Sequence, residues 1–201
     1  MSSDEGVVRF RSIRAAAPPP DGAQAVALCG VRNHLYRLGL IGALPDGTGY
    51  GNASVRSPHG VLITGTGTGG IEHLLPEHIT CIERCAIDAN TVWCSGPVDA
   101  SSETMTHMGA YAASSGIGAV VHGHHTGAWR RLCGAIPTTD SSIPYGTPQM
   151  ARAVEDLVRR HYQGAGLLLA MQGHEGGVLA VGGTLDEAVA ALVDGTMGGR
   201  A

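Results

Sequence analysis

A chain of 201 residues with 43% apolar and 15% charged side chains is long enough for one domain with a substantial core, and too apolar for a disordered chain. Its formal net charge of −4 lacks the basic excess of a nucleic-acid binder, and no apolar run reaches membrane-spanning length. All 13 basic residues are arginine, so Schiff-base chemistry through a lysine amine is closed, and carbonyl chemistry must draw on a metal or on hydrogen-bond donors.

Residues 1–22 read as an N-terminal arm closing on Pro18-Pro19-Pro20, and residues 23–201 as the one domain. Asp4, Glu5, Arg9, Arg11 and Arg14 stand where a signal peptide would be apolar, so a cytoplasmic, reduced setting is expected. A helix is predicted from Gln24 to Leu40, with Val26, Val31, Leu35 and Leu38 near helical spacing. Pro45-Asp46-Gly47 turns the chain, and Ala53 to Arg56 and Val61 to Thr64 read as strands. A Gly-Thr-rich loop, Gly65 to Gly70, follows, then strands from Ile79 to Ile87 and around Val92 to Cys94.

Ser101-Ser102-Glu103 looks like a helix start, with serine oxygens for capping and a glutamate in the first turn. Met105, Met108 and Tyr111 continue at helical spacing as far as Ser114-Ser115-Gly116. Ala119 to His124 reads as a buried strand and Thr126 to Cys133 as a short helix. Gly146-Thr147-Pro148 opens a helix to about Tyr162, with proline placed where its missing N–H costs least. Leu167 to Met171 and Gly177 to Val181 are two more strands, and Thr184 to Leu192 is the last helix. Arg130-Arg131 and Arg159-Arg160 read as solvated faces. Cys29, Cys81, Cys85, Cys94 and Cys133 are odd in number and form no CxxC pair, which argues against a disulfide framework or a thiolate zinc site.

His122-Gly123-His124 ends a predicted strand, where side chains two apart share a face and both imidazoles can address one point. His174 follows another strand. Three histidines leave a coordination position open, as a catalytic divalent ion requires. Taken alone, the pair also fits two core or exposed histidines. His125 faces the other way and is expected either behind the ligands, supporting them, or in the core. Glu103 could move protons beside such an ion, although it also suits an ordinary first-turn position. Gly51-Asn52, Thr66-Gly67 and Ser101-Ser102 could offer N–H and hydroxyl donors to an anion, or serve only as turn and cap residues.

The order of these motifs resembles the class II aldolase/adducin family. It comprises Gly51-Asn52-Ala53-Ser54-Val55-Arg56, Leu62-Ile63-Thr64-Gly65-Thr66-Gly67, Ser101-Ser102-Glu103, His107, Val121-His122-Gly123-His124 and a late leucine-rich strand leading to His174. The similarity spans about Gln24 to Leu192. It implies an α/β fold: a single three-layer α/β/α domain around a central mixed, largely antiparallel sheet. It further implies that His122, His124 and His174 bind one divalent ion, Zn²⁺ or else Mn²⁺, Co²⁺ or Fe²⁺. Glu103 would be the catalytic acid/base, and Gly51, Asn52, Thr66, Gly67, Ser101 and Ser102 would hold a substrate phosphate. The activity implied is aldol cleavage of a small phosphorylated sugar or hydroxyketone through an enediolate. Dehydration of a ketose phosphate and decarboxylation are alternatives at the same site, and an adducin-like scaffold is a non-catalytic one. A homotetramer is implied, with no nucleic-acid or membrane partner. The third ligand stands in His174-Glu175-Gly176-Gly177, longer than the usual His-Gly, and Glu175 is expected at the surface.

Overall fold

The computed structural model describes residues 6–198. The first half of the chain forms β1 (Arg11–Ala15), α1 (Ala23–Arg37), β2 (Gly42–Ala43), β3 (Gly49–Tyr50), β4 (Asn52–Ser57), β5 (Gly60–Thr64), β6 (Ile79–Ala86) and β7 (Thr91–Ser95). The second half forms α2 (Thr104–Ala113), β8 (Ala119–His124), α3 (Thr126–Leu132), α4 (Pro148–His161), β9 (Leu167–Ala170), β10 (Gly177–Gly182) and α5 (Leu185–Met197). Eight strands make one sheet in the order β1-β7-β6-β5-β4-β8-β10-β9, while β2 and β3 pair separately. Among these described strands only the β1–β7 pairing is parallel, so the sheet is mixed and largely antiparallel, as expected. Among the described residues no helix is long and apolar enough to cross a membrane.

The central strands are apolar on both faces because helices cover both. Val120, Leu179 and Val181 pack into one core with Met105, Tyr111, Met150 and Val154 of α2 and α4. Their neighbours Val121, Val178 and Ala180 pack into the other core with Leu28 and Leu35 of α1 and Ala188 and Leu192 of α5. Strand alternation therefore sorts adjacent residues into two cores, which makes the domain three layers deep. Fully buried Leu28 and Leu35 each contribute roughly 1.5–3 kcal/mol to that packing.

Local chemistry sets the helix starts. Thr147 accepts from the Met150 N–H before Pro148. Thr184 accepts from the Glu187 N–H while the Glu187 carboxylate accepts from Gly183 N–H, satisfying two otherwise orphaned donors. The last helix runs on to Met197, five residues beyond the predicted Leu192.

Three expectations are corrected. Strand β1 lies inside the stretch read as an arm, and it extends the sheet beside β7. The buried stripe of α1 is Ala25, Leu28, Cys29, Arg32 and Leu35, whereas Val26 is 66% exposed. Helix α2 begins one residue late: Glu103 is its N-cap residue rather than a member of the first turn, and no side chain caps it. Ser101 instead offers its hydroxyl oxygen to the Glu103 N–H at 3.4 Å and its carbonyl to the Thr104 hydroxyl at 2.7 Å. All five cysteines are free thiols.

Candidate active site

Strand β8 carries His122 and His124 on the face that looks toward the α2–α4 layer, in line with Val120. Between β9 and β10 the chain makes a tight loop, with His174 N–H donating to Met171 O and Gly177 N–H donating to His174 O. That loop brings His174 over the strand pair. The three imidazoles are buried, and one nitrogen from each lies within 4.8 Å of the others. Gly177, paired with His124 across the sheet, leaves the room for this. A Cβ there would stand 3.0–3.1 Å from the rings of His174 and His122, so the rings would have to shift by a few tenths of an ångström to admit it.

Electrostatics suit a cation here. His122 donates its Nδ1–H to Val178 O at 3.0 Å, which fixes the tautomer and leaves the Nε2 lone pair facing inward. That Nε2 lies 3.1 Å from His124 Nε2. Two nitrogens bound to one tetrahedral ion at 2.0–2.1 Å would be about 3.3 Å apart, so the spacing fits. Burial first, and then repulsion from the neighbouring rings, holds His122 and His124 well below the usual histidine range. Both are therefore neutral near pH 7, as ligands must be.

Glu103 sits at the head of α2, 2% exposed, with its carboxylate 3.7 Å from His174 Nδ1. It also lines a small pocket together with Gly51, Asn52, Thr66, Gly67, Ser101 and Ser102. The six residues expected to hold an anion thus line one hollow, and Glu103, which also lines it, is the residue it shares with the surroundings of His174. Asn52 pairs directly with His122 across β4 and β8, and its buried Oδ1 accepts no hydrogen bond from the described residues. Gly51 is at φ 74°, and a Cβ there would meet Ile41 at 2.8 Å and the His122 carbonyl at 3.0 Å, so only glycine passes this point. A cavity of about 320 Å³ lies elsewhere, lined by Pro18, Pro20, Gln24, His59 and Glu83, and touches none of the three histidines.

Several residues around the site escaped the sequence reading. Arg32 is 1% exposed, and its guanidinium donates to the carbonyls of Thr68 (2.7 Å), Gly69 (2.6 Å) and Ile71, pinning the Gly-Thr loop from behind. Its buried charge is dispersed over carbonyl dipoles, and burial lowers its pKa. No sequence signal distinguishes such an arginine from the surface ones. Tyr145 stacks on His174, with ring centroids 4.4 Å apart and planes at 25°. Tyr50 tilts against His124 at 5.3 Å.

Behind the site, His107 Nδ1 shares a 2.7 Å hydrogen bond with Ser54 Oγ, which also meets Tyr111 OH at 2.9 Å. Complete burial pushes His107 down to about 3. His125, expected behind the ligands or in the core, instead caps α3 while half-buried, its Nδ1 accepting from Ala128 N–H. Glu175 is exposed and 3.7 Å from Arg130.

Known proteins share this fold. The chain resembles the solved L-fuculose-1-phosphate aldolase of Thermus thermophilus at 24% identity, covering 86% of this chain and 89% of that one, with a TM-score of 0.64. A sugar-phosphate aldolase of Thermotoga maritima is similar at 15% identity, over 86% and 90% of the two chains, with a TM-score of 0.63. The L-fuculose 1-phosphate aldolase of Glaciozyma antarctica PI12 is similar at 18% identity, over 87% and 73%, with a TM-score of 0.59. No curated protein matches significantly. Residues 27–194 match the family described as Class II Aldolase and Adducin N-terminal domain, and the chain belongs to that family.

Proposed function

We propose that the chain is a divalent-metal-dependent aldolase cleaving a small phosphorylated sugar or hydroxyketone, with Zn²⁺ as the expected ion and Mn²⁺, Co²⁺ or Fe²⁺ as substitutes. One observation carries this reading: three buried histidines converge beside a buried carboxylate, in a chain that has no lysine for the Schiff-base route. His122, His124 and His174 would hold the ion. Once bound, it supplies Lewis-acid stabilisation of negative charge on a substrate carbonyl oxygen.

The remaining work falls to the chain's own groups. Glu103 moves the proton: its carboxylate faces the cluster and the anion pocket together, so it reaches a carbon next to the substrate carbonyl. In cleavage the hydroxyl on the far side of the breaking carbon–carbon bond gives its proton to Glu103 as its oxygen becomes the second carbonyl. The bond's electron pair stays on the carbon next to the original carbonyl, and Glu103 delivers that proton to this carbon. Gly51, Asn52, Thr66, Gly67, Ser101 and Ser102 hold the phosphate through N–H, amide and hydroxyl donors, without a lysine or arginine among them. Family membership supports extending the proposal to a homotetramer.

A Glu103→Gln variant tests the assignment. Turnover is expected to fall by about 10²–10⁴ while metal content stays at the wild-type level. Full activity in that variant would remove Glu103 from the mechanism. Product analysis decides the reaction: two carbonyl fragments mean aldol cleavage, whereas an intact skeleton that has lost water means dehydration.

A further inference from the structure

His122 and His124 are held by the sheet, whereas His174 rides on a loop, where its ring takes support from neighbouring side chains. Tyr145 provides one face of that support, stacked on the imidazole at 4.4 Å and 25°. The guanidinium of Arg9 lies over the same Tyr145 ring, 5.0 Å from its centroid. Arg9 is itself held in place: Phe10 is buried in the α2–α4 core, Asn90 Nδ2 donates to the Arg9 carbonyl at 2.9 Å, and Arg11 N–H donates to Asn90 O. Tyr145 is 4% exposed, and the next residue, Gly146, packs so close to Ser102 O and Arg9 Cδ that a Cβ would lie 3.1 and 3.8 Å from them.

We propose that Arg9 and Tyr145 are positioning residues which orient His174 as a metal ligand through a guanidinium–phenol–imidazole stack, so that the segment preceding β1 is part of the metal site. The inference rests on the three-histidine reading above. A histidine offers its lone pair only in the plane of its ring, so fixing that plane fixes where an ion can bind. A stacked ring resists rotation out of the plane, and a cation over the phenol adds an electrostatic hold on Tyr145. Groups outside the ligand set that orient a ligand typically alter metal affinity by about 10–100-fold.

The test uses the full chain and two readouts: zinc affinity by competition with a chromophoric chelator, and the visible absorption of the cobalt-substituted protein. Tyr145→Phe keeps the stack and should match the wild type in both. Tyr145→Leu should bind zinc at least about tenfold more weakly and shift the cobalt spectrum. Arg9→Met should weaken binding about two- to fivefold, and Arg9→Lys should restore it. If Tyr145→Leu does not fold, the Arg9 pair decides. Wild-type affinity and an unshifted spectrum in folded Tyr145→Leu or in Arg9→Met would overturn the proposal while leaving the metal site intact. A wild-type protein that binds no zinc or cobalt would overturn this inference and the proposed function together.

Discussion

The histidine cluster and the pocket proposed for the phosphate meet at Glu103 but are built by different means. The cluster takes two of its three imidazoles from a central strand, where hydrogen-bond register fixes His122 opposite Leu179 and Asn52. The pocket uses glycines and hydroxyls on loops, held in shape by Gly51 at φ 74° and by the buried Arg32 behind the Gly-Thr loop. Precision in the first comes largely from the sheet, and in the second from the conformation of the loops. The two parts should therefore fail separately: one should lose the ion, the other only affinity for the anion.

Substitution of a ligand makes the largest break. His122→Ala should take metal content from about one ion per chain to none, since two histidines form an incomplete set. Elemental analysis of the purified variant checks this; retention of a full ion would place the metal elsewhere.

An intermediate effect comes from acid. His107 ionises at about 3 in the folded protein because it is fully buried, against about 6.5 in an unfolded chain. The folded state must keep it neutral, so its contribution is fully present above pH 6.5 and declines as pH falls toward 3. From pH 6.5 to pH 4 the loss is about 3 kcal/mol for this one group. Thermal melts of the wild type and His107→Gln across that range should converge at low pH; parallel curves would mean that His107 is not the group.

The smallest effect should come from the loops. Ser102→Ala should raise KM for a phosphorylated substrate by about five- to tenfold, the worth of one neutral hydrogen bond, with metal content unchanged. Loss of metal in this variant would erase the distinction between the two regions.

Much of the cluster was legible because its signal is periodic. His122 and His124 two apart on an apolar strand announce a shared face, and Ala119 to His124 is a strand as expected. That Gly51-Asn52, Thr66-Gly67 and Ser101-Ser102 gather around one hollow was less legible, since glycines and serines carry no period and suit turns and caps equally well. Strand β1 was missed because Arg11–Ala15 is half-exposed at the sheet edge, with no alternation and a proline run after it. The face of α1 was misjudged because Arg32 takes a buried position while Val26 faces out. Neither Tyr145 nor Arg9 could be tied to His174 from sequence, because they meet only after the chain has folded.

The two-core alternation along β8 has a consequence for how the protein finds its fold. A one-residue slip of that strand would turn His122 and His124 into the aliphatic layer of α1 and α5, and present Val121 and Gly123 in their place. Two imidazoles stranded among leucines would each bear the cost of an unsatisfied polar group, about 1–3 kcal/mol. The residues that would bind the ion thus also penalise the wrong strand pairing, so selection for the site would act as selection for correct assembly of the sheet.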